Sequence, residues 1–228
     1  MKLLLLGRGK TGSLVAEVAR ERGHEIAALG SADNPNASAL KKERLAGVSV
    51  VIDFTTPKAV LENIEACARA GGNMVVGTTG WYAELPRVRH MVEQAGTGFL
   101  YASNFSVGVN IFFDIVRAAA VALPLGYSGS ILETHHVHKK DAPSGTAVVL
   151  QKTLKEASGV TVEINSVREG EVVGRHVLSL DSAGDRIVLA HDAKSRRGFA
   201  EGAVRAAEWL AERRGFYEFK DVWREMRA

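Results

Sequence analysis

The chain opens on an uninterrupted apolar run, Leu3 to Leu6, of the kind buried on both faces of a parallel sheet. Behind it Val15, Val18 and Ala19 recur at helical spacing, Gly23 offers a helix stop, and Glu25 to Leu29 reads as a second strand. That is one βαβ unit. The alternation then continues: Val48 to Phe54 reads as a strand, Pro57 opens a helix running to Ala70, and Gly71-Gly72 ends it before the strand Met74 to Val76. Glu84 to Gln94 follows as a helix and Phe99 to Ala102 as a strand. Strands alternating with helices predict an α/β domain over residues 1–106, built as a Rossmann-type, doubly wound parallel sheet.

The pattern changes after Asn104. Asn110 to Leu123 reads as a long apolar helix, Ser128 to Val137 as a strand with histidines at its end, and Thr146 to Ala157 as a helix. Strand-like runs at Val160 to Val167, His176 to Ser179 and Arg186 to His191 have no helices between them. They predict a smaller α+β domain over 107–196 with a mixed or antiparallel sheet. Gly198 to Arg213 is again helical, and helices over 197–228 are expected to pack back on the first domain. The sequence shows no internal repeat and no low-complexity segment.

Composition adds exclusions. With 46% hydrophobic and 24% charged residues in 228, the chain has the balance of a folded globular protein. A net charge of +3, without a basic run, argues against a nucleic-acid partner. The single cysteine, Cys67, lies in an apolar-periodic segment and has no partner for an internal disulfide, which fits a reducing compartment. The leucine run is too short for a signal-peptide core or a membrane span. A cytoplasmic protein without a membrane partner is expected.

Two stretches carry candidate chemistry. Gly7-Arg8-Gly9-Lys10-Thr11-Gly12 lies between a predicted strand and a predicted helix, where glycines let the backbone approach a pyrophosphate and the helix N-terminus supplies unpaired N–H groups. A plain βα turn is the competing reading, and the repeated βα units behind the loop favour a dinucleotide. Asp53-Phe54-Thr55 and Gly77-Thr78-Thr79-Gly80 end later strands at the same edge of such a sheet. Either of them alone reads as ordinary loop chemistry. The other stretch, Glu133 to Ala147, packs three histidines and two lysines into positions 135–140 ahead of a Pro-Ser-Gly-Thr turn. Such a cluster faces something anionic or in need of a proton. His136 and His138, spaced to share a strand face, would also suit a metal, but the adjacent Lys139 and Lys140 oppose a cation. No metal is expected. For His138 the competing reading is a structural hydrogen bond.

The segment E-x-H-H-x-H-K-x-D-x-P-S-G-T-A from Glu133, with D-F-T at Asp53, G-T-T-G at Gly77 and A-S-N-F-S-x-G-V-N from Ala102 to Asn110, resembles the 4-hydroxy-tetrahydrodipicolinate (dihydrodipicolinate) reductases of lysine and diaminopimelate biosynthesis. The resemblance covers nearly the whole chain. It implies reduction of a cyclic imino dicarboxylate by NADH or NADPH with release of water, in a homotetramer whose contacts lie in the substrate domain. By matching position, His135 is implied as the proton donor or acceptor, Lys139 as a second catalytic donor and His136 as a substrate contact. Gly145 and Thr146 match the family's carboxylate-binding pair, and Ser144, in the same Pro143-Ser144-Gly145-Thr146 turn, is expected to bind substrate with them. Gly7 to Gly12, Gly77 to Thr79 and the segment Ala102, Ser103, Asn104 and Phe105 match its nucleotide contacts.

The chemistry is consistent with those roles. A hydride added to a conjugated imine leaves electron density that a proton must quench, and histidine titrates near the working pH. A lysine ammonium steadies a carboxylate or a developing charge. The chain departs from the family pattern in a glycine loop one residue shorter than the commoner form, and in Gly30-Ser31 standing where an acid-plus-arginine pair is often found. Arg8, Lys10 and Ser31 tolerate a 2′-phosphate that an acid would repel, so use of both cofactors is expected, with Asp33 offsetting part of the attraction. Two rival functions remain open at this point: a dinucleotide-binding regulator without turnover, and another NAD(P)-dependent dehydrogenase acting on an amino acid or aldehyde.

Overall fold

The computed structural model describes residues 1–226. It divides into two compact units, one of residues 1–106 with the tail from Arg197, the other of Val107–Arg196. The first contains β1 (Lys2–Leu6), α1 (Lys10–Glu21), β2 (Glu25–Leu29), α2 (Lys42–Leu45), β3 (Val50–Asp53), α3 (Val60–Arg69), β4 (Met74–Val76), α4 (Leu85–Ala95) and β5 (Gly98–Tyr101). The second contains α5 (Val107–Ala119), β6 (Ser128–His135), α6 (Gly145–Ser158), β7 (Glu163–Arg168), β8 (Arg175–Asp181) and β9 (Arg186–Asp192). The chain then returns to the first unit as α7 (Arg197–Leu210), β10 (Gly215–Glu218) and α8 (Phe219–Val222).

The first unit is a parallel sheet in the order β10-β5-β4-β3-β1-β2. Its central strands are apolar on both faces, with Leu3–Leu6, Val50–Ile52 and Met74–Val76 all buried, because helices cover both sides. Helix termination follows the glycines: α1 stops before Gly23 and α4 ends at Gly96, both at positive φ. Helix α7 presents small residues, Ala200, Gly202, Ala203, Ala206 and Ala207, against α1 and the middle of the sheet. At Gly202 a Cβ would stand 1.8 Å from the Phe105 carbonyl oxygen, so the helix rests directly on the backbone that follows β5.

The tail expectation needs one correction. Helix α7 ends at Leu210, and Gly215–Glu218 is a strand that pairs with β5, its Phe216 ring stacked on Phe99 at 5.1 Å. The last two positions of the expected helical tail, 227 and 228, lie outside the described residues.

The second unit is a mixed sheet in the order β7-β6-β8-β9, in which β6 and β7 are parallel and the other pairs antiparallel. One face is packed by α5 and α6 through Phe112, Val116, Leu150 and Leu154 against Ile131, Leu178 and Leu180. Two expected elements differ from the sequence reading. The long apolar helix breaks after Ala119 into a 3₁₀ segment, Ala120–Leu125, that contains Pro124. The whole stretch Val107–Leu125 is long and apolar enough to cross a membrane by composition, but its apolar stripe packs into this core. Strand β6 ends at His135, so His136 to His138 lie in a turn and do not share a strand face. That removes the geometry behind a His136–His138 metal pair.

Candidate active site

In the first unit the parallel strands deliver their loops to one edge, the C-terminal edge where ligands of such sheets collect. Gly7 has φ +99, and a Cβ there would lie 2.2 Å from the Phe54 carbonyl oxygen; one at Gly12 would lie 2.2 Å from the Gly7 carbonyl oxygen. The loops after β1 and β3 are thus pressed together at backbone distance. Gly9 stands at the N-cap of α1 with no side-chain cap and with open space where a Cβ would go. The N-terminal N–H groups of α1 and its partial positive charge therefore meet no side chain of the cap, which suits a pyrophosphate. Lys10 and Thr11 lie in the first turn of α1.

Arg8 reaches from this loop to the end of β2, where Nη2 donates to the Ala28 carbonyl (2.6 Å) and Nη1 pairs with Asp33 Oδ2 (3.0 Å). The same Asp33 oxygen accepts from Gly30 N at 2.9 Å. An acid and an arginine thus meet beside Gly30-Ser31, although neither is encoded at the strand end itself.

At the ends of β3 and β4, Asp53 is fully buried and accepts from Thr78 Oγ1 (2.6 Å), Thr55 Oγ1 (2.8 Å), Thr55 N (2.9 Å) and Asn63 Nδ2 (2.8 Å). Burial raises its pKa, with the four hydrogen bonds acting the other way. The network spends the Thr78 side chain internally and leaves the exposed Thr79 at the surface of the turn. A Cβ on Gly77 would collide with the Phe54 ring at 2.3 Å, and Phe54 in turn lies 6.1 Å from the Phe105 ring. After β5, Ala102 N donates to the Val76 carbonyl; Ala102 and Phe105 are core residues, while Ser103 is exposed and Asn104 Oδ1 accepts from Ser106 N.

In the second unit the site grows from β6. Alternation along this strand puts Ile131, Glu133 and His135 on its buried face. His135 Nδ1 is hydrogen-bonded to Glu133 Oε2. Glu133 Oε1 accepts from Arg168 Nη2 (2.9 Å) and from Ser144 N (3.3 Å). Ser144 caps α6, its Oγ accepting from Ala147 N and lying 3.1 Å from His176 Nε2. Gly145 opens that helix with nothing within 4 Å of its Cβ position, and Thr146 follows in the first turn. Lys139 Nζ is held by both Asp141 carboxylate oxygens at 2.8 Å, and Arg168 binds the Asp141 carbonyl. His136 Nε2 lies 3.4 Å from Arg196 Nη2, and its Nδ1 is buried without a hydrogen-bond partner. His138 is exposed, with its ring 6.3 Å from that of His136.

Electrostatics in this cluster are set by burial first. Burial lowers the pKa of His135, against the Glu133 carboxylate that raises it, and Lys139 and Arg168 lower it further. Burial brings His176 down to about 4, with neighbouring His135 acting in the same direction. Glu133 stays below the usual carboxylate range: burial raises it, but the hydrogen bonds from Arg168, Ser166 and His135 prevail. Donor atoms of Glu133, His135 and His176 lie within 4.8 Å of one another, a spacing that admits a metal ion. Both Glu133 oxygens are already engaged and the Arg168 guanidinium touches one of them, so the group reads as a hydrogen-bonded network.

Sequence reasoning passed over Glu133, Arg168, His176 and Arg196 as site residues. The Glu133–His135 spacing on a strand was a usable signal. Arg168, His176 and Arg196 arrive through the register of β7 and β8 and the end of the unit, which no local pattern encodes.

A glycine-lined βα loop on a parallel sheet, and an imidazole–ammonium cluster beside the N-terminus of α6, fit a nicotinamide-nucleotide-dependent oxidoreductase of small anions. Comparison with known proteins gives the particular family. Residues 1–105 match the model of "Dihydrodipicolinate reductase, N-terminus" and residues 108–223 that of its C-terminus. A 4-hydroxy-tetrahydrodipicolinate reductase of Christiangramia forsetii is 37% identical over 236 residues, covering 97% of both chains. That of Chromobacterium violaceum is 41% identical over 199 residues, covering 78% of this chain and 74% of its own. The dipicolinate-bound dihydrodipicolinate reductase from Paenisporosarcina sp. TG-14 has the same fold, with a TM-score of 0.80 at 24% identity over 97% of this chain and 99% of its own. The chain belongs to the dihydrodipicolinate reductase family: 4-hydroxy-tetrahydrodipicolinate reductases, which are NAD(P)H-dependent oxidoreductases of lysine and diaminopimelate biosynthesis.

Proposed function

We propose that the chain reduces its cyclic imino dicarboxylate with either NADH or NADPH, and that His135 donates the proton while Lys139, His136 and the Ser144–Gly145–Thr146 turn hold the substrate carboxylates. When bound, the reduced nicotinamide supplies a hydride to one carbon of the conjugated imine. Loss of the substrate's hydroxyl with a neighbouring hydrogen, as water, gives that conjugated imine; after hydride addition the electron pair displaced from its double bond takes a proton at a neighbouring carbon. His135 suits that donation because Nδ1 is occupied by Glu133, which leaves Nε2 as the nitrogen that exchanges a proton. The single observation that carries the reading is this tethered imidazole beside the Ser144-capped, open start of α6. The first unit takes the nucleotide, with Gly7, Gly9 and Gly12 at the pyrophosphate, Arg8 and Lys10 beside the adenosine ribose, and the Gly77–Thr79 and Ala102–Phe105 turns at the nicotinamide end.

The assay is nicotinamide absorbance after adding the product of the preceding synthase, with both cofactors. In His135→Gln and Lys139→Ala, kcat falls by about 10²-fold or more, the effect of losing a general acid or its partner charge, while nucleotide affinity stays unchanged. Near-normal turnover in both variants overturns the assignment. Dipicolinate, the ligand named for the Paenisporosarcina protein, is expected to compete with substrate here, since it is a planar dianion of similar span.

A homotetramer in the cytoplasm completes the proposal. Leu132, Val167 and Val188 are exposed on the sheet face away from α5 and α6, and register places Thr134, Val177 and Ser179 among them. That face is apolar at its centre and carries the Arg175–Asp192 and Arg186–Asp181 ion pairs towards its ends, a mix that suits a second copy of itself. Light scattering on the wild type and on Val188→Glu tests it, with a smaller species expected for the variant.

A further inference from the structure

Glu133 is a carboxylate with no exposure to solvent, on the strand that ends at His135, and every direction around it is occupied. An ionised carboxylate accepts hydrogen bonds and donates none, so the Nδ1 facing it carries a hydrogen. Arg168 Nη2 at 2.9 Å supplies the charge that keeps Glu133 ionised in a buried setting. On the far side of the ring, Nε2 faces Gly174, where a Cβ would stand only 3.0 Å away. A residue without a side chain therefore borders the nitrogen that must meet substrate. Through its other oxygen Glu133 also accepts from Ser144 N, at the turn that opens α6.

We propose that Glu133 is the positioning residue of the reaction: one carboxylate fixes His135 as the Nδ1–H tautomer with Nε2 as its acidic position, and ties that imidazole to the Ser144 turn that grips the substrate carboxylate. The proposal rests on His135 being the proton donor. It assigns to Glu133 no contact with substrate. Its consequence is electrostatic as well as geometric. The charged and titratable groups around His135 are Lys139 from the turn, Arg168 from β7, and His176 from β8 with His191 beyond it on β9. Lys139 and Arg168 drive the proton off, and so does burial; among these neighbours Glu133 is the group that retains it.

The experiment is the pH profile of kcat and kcat/KM for Glu133→Gln and Glu133→Asp beside the wild type. Glu133→Gln keeps the shape and a hydrogen-bond acceptor but loses the charge. Its alkaline limb is expected to move down by about one pH unit or more, the usual effect of removing an adjacent opposite charge, with kcat reduced about tenfold or more and KM changed little. Glu133→Asp retains the charge one methylene further back and restores part of the shift. A structural role alone would lower the yield of folded enzyme without moving the limb. An unmoved limb with kcat within threefold of wild type overturns the proposal. Ring-nitrogen NMR of His135 in the wild-type enzyme decides it independently of how the variants fold: above the imidazole pKa, protonated Nδ1 with bare Nε2 supports it, and the reverse tautomer sinks it. His135→Gln with near-normal turnover would instead remove the donor role itself, a failure separate from that of Glu133.

Discussion

On the proposed nucleotide site, cofactor choice is expected to turn on the Arg8–Asp33 pair. In a Rossmann-type sheet the adenosine ribose lies at the C-terminal end of β2, where an acid binds the ribose hydroxyls or an arginine receives a 2′-phosphate. Here Asp33 anchors on Gly30 N, and the Arg8 guanidinium sits against it at 3.0 Å. Both side chains are substantially exposed, 58% for Arg8 and 42% for Asp33, so the ion pair is worth no more than about 1 kcal/mol. Arg8 is therefore released cheaply when a 2′-phosphate arrives, and a charge-assisted hydrogen bond to it returns about 1.5–3 kcal/mol. Asp33 repels the same phosphate, and the two effects nearly offset. The wild type is expected to use NADH and NADPH with kcat/KM values within about 30-fold of each other, or roughly 2 kcal/mol at ~1.4 kcal/mol per tenfold. In Arg8→Ala the NADPH value drops about tenfold while that for NADH stays within threefold. In Asp33→Ala the NADPH value rises several-fold and its advantage shrinks at high salt, because the phosphate contact is screened. Steady-state kinetics at matched ionic strength measure all of this. If the NADPH/NADH ratio stays fixed in both variants, the pair lies away from the ribose and the reasoning fails.

Further expectations concern packing, access and pH. Gly202→Ala places a methyl inside the van der Waals shell of the Phe105 carbonyl, so α7 must shift; stability is expected to fall by about 1–3 kcal/mol in denaturant titration, with weakened nucleotide affinity because the Ala102–Phe105 turn moves with it. Gly174→Ala crowds His135 Nε2 without changing any charge, and is expected to lower kcat/KM at least severalfold while leaving nucleotide binding intact by calorimetry. His176 is held neutral by burial, with a folded pKa of about 4 below its ordinary 6.5. The unfolded chain therefore binds the extra proton first, and stability falls as pH drops from about 6.5 towards 4, by up to about 3 kcal/mol at ~1.4 kcal/mol per unit. Thermal melts across that range should lose this slope in His176→Gln; an unchanged slope would assign it to other groups.

The sequence by itself determined the class of the first sheet, because a strand buried on both faces must be a continuous apolar run and a helix that covers it must repeat near every fourth residue. Leu3–Leu6, Val50–Ile52 and Met74–Val76 could therefore be read directly, and the glycines at 23 and 71 marked where helices stop. The sequence also held the motif from Glu133 to Ala147, whose residue types announce proton transfer to an anion. Local pattern does not carry pairing. Gly215–Glu218 is a half-buried edge strand whose identity comes from its register with β5; Gly215 and the aromatic pair Phe216-Tyr217 are compatible with a strand, but four residues carry no periodicity that assigns them to a sheet. The turn at His136 exists because β6 runs out of partners at His135, paired with Arg168 on one side, so a periodicity that continued in sequence stopped in space. The same holds for the charges: Arg8 and Asp33 are 25 positions apart, and Glu133 and Arg168 are 35. Each pair is made by sheet geometry, which sets distances that spacing along the chain does not contain.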